Sequence, residues 1–285
     1  IDSPDDEKAF YWLKLAAEQG HCEAQYSLGQ KYTEDKSRHK DNEQAIFWLK
    51  KAALQGHTFA SNALGWTLDR GEAPNYKEAV VWYQIAAESG MSYAQNNLGW
   101  MYRNGNGVAK DYALAFFWYK QAALQGHSDA QNNLADLYED GKGVAQNKTL
   151  AAFWYLKSAQ QGNRHAQFQI AWDYNAGEGV DQDYKQAMYW YLKAAAQGSV
   201  GAYVNIGYMY KHGQGVEKDY QAAFEWFTKA AECNDATAWY NLAIMYHYGE
   251  GRPVDLRQAL DLYRKVQSSG TRDVSQEIRE TEDLL

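Results

Sequence analysis

Residues 94–126, AQNNLGWMYRNGNGVAKDYALAFFWYKQAALQG, hold one full cycle of a pattern from which the architecture of the whole chain can be worked out. Ala94, Leu98, Gly99 and Tyr102 stand at offsets of 0, 4, 5 and 8, which fall on one face of a helix. Gly105-Asn106-Gly107-Val108 then interrupts it, because paired glycines supply positive-φ turns and the valine can tuck into a core. Asp111 opens a second helical run with a short side chain that accepts hydrogen bonds from the free amides of a first turn. Gly126 closes that run, being a residue that reaches left-handed backbone angles. Between cap and stop lies a helix of about four turns.

The same cycle recurs along the chain. Ala9, Ala45, Ala79, Ala115, Ala151, Ala187, Ala223 and Ala259 form one column, with spacings of 36 residues except for one of 34. Four residues earlier stands a capping column, Asp5, Asp41, Asn75, Asp111, Asn147, Asp183, Asp219 and Asp255. Eleven residues later stands a stop column, glycine at Gly20, Gly56, Gly90, Gly126, Gly162, Gly198 and Gly270 and asparagine at Asn234. Three residues after the alanine come Trp12, Trp48, Trp82, Trp118, Trp154, Trp190 and Trp226, then Leu262; a column this regular is expected to be core. An αα-hairpin of this kind leaves faces that only adjacent copies can cover, so the stable object is a stack. The first two linkers, residues 33–40 (TEDKSRHK) and 70–75 (RGEAPN), depart from the glycine pattern, and the N-terminal copies are expected to stack at a slightly different angle.

The unit A-x-x-x-L-G-x-x-Y, G-x-G-V, D-Y-x-x-A-x-x-W-Y and A-A-x-x-G resembles the Sel1-like repeat family, relatives of tetratricopeptide repeats, over essentially the whole chain. The resemblance implies an all-α fold, a right-handed α/α superhelical solenoid of about eight 36-residue helix-turn-helix repeats. The expected domain organisation is one solenoid over 1–270, with units at about 5–40, 41–74, 75–110, 111–146, 147–182, 183–218, 219–254 and 255–270. Residues 271–285, amphipathic but without the repeat pattern, are read as a C-terminal capping helix with a more polar outer face. For function the family implies an adaptor or scaffold with no fixed partner, and it is abundant in Gram-negative bacteria. One branch staples each repeat with a cysteine pair; Cys22 and Cys233, 211 residues apart, do not supply one.

Composition narrows the function classes. The chain has 285 residues, 46% hydrophobic and 22% charged, a globular balance. With 28 Lys and Arg against 36 Asp and Glu, its net charge of −8 disfavours nucleic acid and anionic membrane surfaces, where affinity rests on neutralising phosphates. It favours basic partners through long-range attraction. No stretch approaches the roughly 18 apolar residues of a membrane span. The first twenty residues carry acids where a signal peptide needs basic residues, so a cytoplasmic location is expected, or a periplasmic or secreted one if a leader precedes Ile1.

Little points to chemistry. The glycine linkers do not continue into GK[ST] or a third phosphate-loop glycine. His21, His57 and His127 share a column directly after the stop glycine and are read as capping carbonyls, while His39, His165, His212 and His247 are scattered without HExxH or HxH spacing. No GxSxG is present. The expectation is therefore no catalytic residue, no metal site, no cofactor and no enzymatic activity; a site assembled across repeats is the alternative.

A wheel centred on the buried stripe of the second helix leaves offsets −1, +3, +6 and +10 from its alanine on the open side, which in the family is concave. The +6 column reads Gln30, Trp66, Trp100, Asp136, Trp172, Tyr208 and Ile244, and the +3 column includes Asn97, Asn133, Asn205 and Asn241. Aromatic residues where a solvated face should be polar are typical interface anchors, and amides can hold the backbone of an extended peptide. The expected partner is an extended, aromatic- or proline-containing segment of another protein, anchored by Trp100 and Trp172 with Asp136 favouring a positive charge. Two bland readings stand beside it: the asparagines bond a neighbouring helix, and the tryptophans pack between copies. Self-association through the C-terminal helix, with Ile278, Leu284 and Leu285 as its apolar surface, is a further possibility.

Overall fold

The computed structural model describes residues 4–34, 40–71 and 73–285, with side chains from Glu7 onward. The Asp5 side chain expected to act as a cap, most of the charged linker 33–40 with His39, and Glu72 lie outside what is described. Two compact units make up the chain, 1–147 and 148–285. The first contains α1 (Pro4–Glu18), α2 (Cys22–Thr33), α3 (Asn42–Leu54), α4 (Thr58–Arg70), α5 (Tyr76–Glu88), α6 (Ser92–Asn104), α7 (Tyr112–Leu124) and α8 (Ser128–Asp140). The second contains α9 (Lys148–Gln160), α10 (Arg164–Ala176), α11 (Tyr184–Ala196), α12 (Val200–His212), α13 (Tyr220–Glu232), α14 (Ala236–Tyr248), α15 (Leu256–Ser269) and α16 (Ser275–Asp283). Each unit is an all-α repeat stack in which every helix packs on the next.

Local chemistry starts and stops these helices. Asp111 Oδ1 accepts from the amides of Ala113 at 2.8 Å and Leu114 at 2.9 Å; Asp41 and Asp183 make the same pair of bonds, and Asn75, Asp219 and Asp255 one each. At the other end Gly126 has φ +89°, and Asn234, at φ 62°, is the one non-glycine with positive φ among the described residues. Gly105 (φ +77°) donates to Met101 O at 2.9 Å, Asn106 donates to the same carbonyl at 3.1 Å, and the Asp111 amide returns to Tyr102 O at 2.9 Å. Gly107 is needed twice over, for φ +73° and because a Cβ there would lie 2.4 Å from Tyr76 O at the start of α5.

The second helix of each hairpin approaches the next first helix most intimately, as in α2 on α3, α4 on α5 and α6 on α7. Gly29, Gly65 and Gly99 make this possible, since a Cβ would come within 2.6 Å of Leu49, 2.8 Å of Tyr83 and 2.8 Å of Tyr119. In the second unit Gly207 stands in the same relation to Phe227, at 2.7 Å.

The core differs from the tryptophan column expected to form it. Trp48, Trp82 and Trp190 are buried, but Trp118, Trp154 and Trp226 are half-buried and Trp12 is 66% exposed. The next residue fills the interior instead: Leu49, Tyr83, Tyr119, Tyr155, Tyr191, Phe227 and Tyr263 are all essentially inaccessible. Adjacent helical positions differ by about 100°, and the glycine column receives the later of the two rings. The tryptophans sit at the rim, several of them edge-to-face against the preceding residue, as in Phe117–Trp118 and Phe153–Trp154.

A buried glutamine ladder reinforces the hairpins. Gln25, Gln95, Gln131 and Gln167 each donate to a carbonyl in the last turn of the preceding helix, at Ala17, Ala87, Ala123 and Ala159. Gln55, Gln125 and Gln197 donate in turn to the amide oxygens of Gln25, Gln95 and Gln167 at 2.7–2.8 Å. Both polar ends of the buried side chain are satisfied, which removes the penalty of burying it. At the far end of the second unit, α16 packs on α15 through Val274, which is fully buried, and Ile278, while Leu284 and Leu285 remain exposed.

Candidate functional site

The histidine column has a second role beside the one expected of it. His57 and His127 accept the amide protons of Ala60 and Ala130 at Nδ1, 3.1 and 3.3 Å away, so their side chains N-cap α4 and α8, while their backbone amides donate to Ala52 O and Ala122 O at the end of the preceding helix, as expected. The same column supplies Asn163 to Ala166 N and Asp235 to Ala238 N, the ordinary chemistry of a cap. An imidazole can do this only where its nitrogen carries a lone pair. Burial holds the His127 pKa below its usual value, partly offset by Asp129, and so keeps the ring in the accepting form. His21 makes no such bond.

On the second-helix face of the first unit, Trp66 of α4 and Trp100 of α6 are each 43% exposed. They line a cleft of about 520 Å³ together with Asp69, Arg70, Gly71, Pro74, Tyr83, Asn96 and Asn97. Asn97 Nδ2 donates to Asn62 at 3.2 Å, and Asn133 Nδ2 donates to Asn96 at 3.0 Å, so these amides bond neighbouring helices. Asp136 forms an ion pair with Arg103 at 3.0 Å, so the positive charge assigned to a partner is already supplied by the chain.

In the second unit Trp172 is 38% exposed, while Tyr208 and Ile244 are half-buried. Asn241 is buried and donates to Tyr208 OH and to Thr237 O, at 2.9 and 2.7 Å. Asn205 is partly accessible.

The bottom of the first-unit cleft was not anticipated. Tyr83 OH donates to Asp69 Oδ2 at 2.7 Å, and burial raises the Asp69 pKa above the usual carboxylate range against the opposing pull of that hydrogen bond and of Arg70. Asp69 stands nine residues after Ala60, where the other copies carry Thr33, Arg103, Glu139, Asn175, Lys211 and His247. Nothing in a repeat pattern points to a position that does not repeat.

A second apolar row was also missed. Tyr11, Phe47, Val81, Phe117, Phe153 and Tyr189, two residues after the first-helix alanine, are all exposed. Lys51, Lys157 and Lys193 extend their ammonium groups over Phe47, Phe153 and Tyr189, which partly dresses this row. Among the described residues no group of three or more His, Cys, Asp or Glu is placed to hold a metal, and no helix is long and apolar enough to cross a membrane.

Hairpins repeated at this period, with glycine-relieved contacts and paired-glycine linkers, define an α/α repeat solenoid. The Sel1 repeat family model matches eight segments, 2–21, 22–57, 58–91, 92–127, 128–163, 164–199, 200–235 and 236–265, and the chain belongs to that family. After the first, which spans α1, these segments begin at the second helix of each hairpin, half a cycle out of phase with the division read from the sequence. A crystal structure of a protective antigen present in uropathogenic Escherichia coli strains, displaying an SLR fold, is similar at 36% identity and a TM-score of 0.85. The match covers 92% of this chain and 56% of that one, so the chain spans little more than half the length of that relative. A Sel1 repeat protein from Oxalobacter formigenes is 33% identical over 75% of this chain and 86% of its own, with a TM-score of 0.69. Proteins of this family are generally protein-interaction scaffolds, typically without catalytic activity.

Proposed function

We propose that the chain is a non-enzymatic scaffold that holds an extended segment of a partner protein against its second-helix faces. In the first unit the contact surface is Trp66 and Trp100 with Asn97 and Asn133 beside them. In the second it is Trp172, Tyr208 and Ile244, with Asn205 and Asn241. The observation that carries this reading is the pair Trp66 and Trp100, large rings left 43% exposed around a cleft on the second-helix face. A rigid stack lets several weak contacts act together with little ordering penalty on the scaffold side. Asp136 takes no part in selecting charge, because Arg103 neutralises it.

The test is retention of a binding protein by the wild-type chain and by Trp66→Ala/Trp100→Ala. Truncating two central aromatic anchors is expected to weaken binding by about 2–4 kcal/mol in total, which abolishes capture while the helical circular dichroism is unchanged. Undiminished capture by the folded variant defeats the reading.

A further inference from the structure

The cleft between Trp66 and Trp100 contains a carboxylate, Asp69, with one oxygen that receives no hydrogen bond. The Asp69 side chain is only 10% exposed. Its Oδ2 is engaged by Tyr83 OH, but its Oδ1 is buried and has no hydrogen-bond partner. A buried carboxylate oxygen without a donor is unfavourable wherever it occurs and unusual in a well-packed helical array. The nearest cation is Arg70, whose Nε stands 3.7 Å from Oδ1, beyond hydrogen-bond length. Its guanidinium carbon lies 5.1 Å from the centre of the Trp66 ring.

Arg70 is thus a cation resting on an indole beside an unsatisfied carboxylate, without completing the bond to it. Its side chain is 67% exposed. It also lines an adjoining cleft of about 310 Å³ with Thr33, Lys40, Asn42, Trp66 and Thr67, which gives the guanidinium somewhere to go.

Resting on the docking role proposed above, we propose that this cleft receives a basic side chain, arginine or lysine, from the bound segment. The incoming cation lies against Trp66 and Trp100 and donates to Asp69 Oδ1, and Arg70 acts as an internal occupant that it displaces. Charge complementarity carries the choice of occupant: an aromatic-walled slot with an acidic floor favours a cation over a neutral side chain. The chain's net charge of −8 acts in the same direction at longer range.

The experiment follows the indole N–H resonances of Trp66 and Trp100, assigned with Trp66→Phe and Trp100→Phe, during titration with four capped pentapeptides. Their sequence is Ser-Gly-X-Gly-Ser, with X being arginine, lysine, citrulline or phenylalanine. Arginine and lysine peptides are expected to shift both indoles saturably with Kd on the order of 1 mM, and citrulline, which keeps arginine's shape without its charge, roughly tenfold more weakly. Asp69→Asn is expected to weaken the arginine peptide about tenfold, and Arg70→Ala to tighten it about threefold by removing the competitor. Equal binding of arginine and citrulline, weaker binding in Arg70→Ala, or no shift with any peptide up to about 10 mM overturns the inference. Asp69→Asn is isosteric and Arg70 is a surface residue, so the pair remains informative if one variant folds poorly. The docking role is read separately, by capture with Trp66→Ala/Trp100→Ala. A partner lost by that variant while arginine and citrulline peptides bind alike overturns only the choice of charge.

Discussion

His127 shows how one side chain links folding to pH. It caps α8 through a nitrogen lone pair that protonation removes, and burial lowers its pKa in the folded chain. The unfolded chain therefore binds the proton more readily, and the sign follows: the contribution to stability is complete above an unfolded value of about 6.5 and is lost as pH falls through the lower folded value. Between pH 7.5 and 5.5 thermal unfolding is expected to shift to lower temperature, by more in the wild type than in His127→Asn. Asparagine keeps the cap, as Asn163 does in α10, but does not titrate. Equal pH dependence in the two chains would remove this role from His127. The column was legible as the end of the preceding helix, whose carbonyls its backbone amides cap; the side-chain cap on the following helix, which suits His, Asn and Asp in a column of His, His, Met, His, Asn, Ser and Asp, was not read from it.

Between elements, the contact of α6 on α7 depends on a missing methyl group. Gly99 gives Tyr119 its place, and Gly99→Ala puts a carbon 2.8 Å from that ring, so a loss of about 1–3 kcal/mol by overpacking is expected in denaturant unfolding. Stability within about 0.5 kcal/mol of wild type would show that the interface yields more easily than close packing allows. Gly107→Ala is expected to cost at least as much, since it meets a backbone carbonyl as well as a left-handed φ. Period, caps, stops and linkers were all legible because each depends on a residue type at a fixed offset. The interior was legible only to within one residue: Trp118 and Tyr119 are adjacent, both are large, and hydrophobicity alone does not choose between them. The small residue on the facing helix makes the choice, a long-range pairing of Gly99 with Tyr119 that a column of one helix does not display.

For the whole molecule, belonging to the Sel1 repeat family makes the chain a member of a group of protein-interaction scaffolds. What such a scaffold holds is set by its irregular residues, because the repeated ones are already committed to the stack. Trp66 and Trp100 were legible as an aromatic column on an open face, whereas the Asp69 floor needed α4, α5 and α6 brought together. The exposed row on the first helices, with Phe117 in the first unit, is the rival surface, and it supplies the control. The most direct measurement is capture of a binding protein by four chains: wild type, Trp66→Ala/Trp100→Ala, Phe117→Ala and Phe47→Ala/Phe117→Ala, each verified as folded. Retention by the wild type and both phenylalanine variants, with loss in the tryptophan variant alone, is the predicted result. Retention by the tryptophan variant, or loss on removing the phenylalanines, contradicts the docking of partners on the second-helix face.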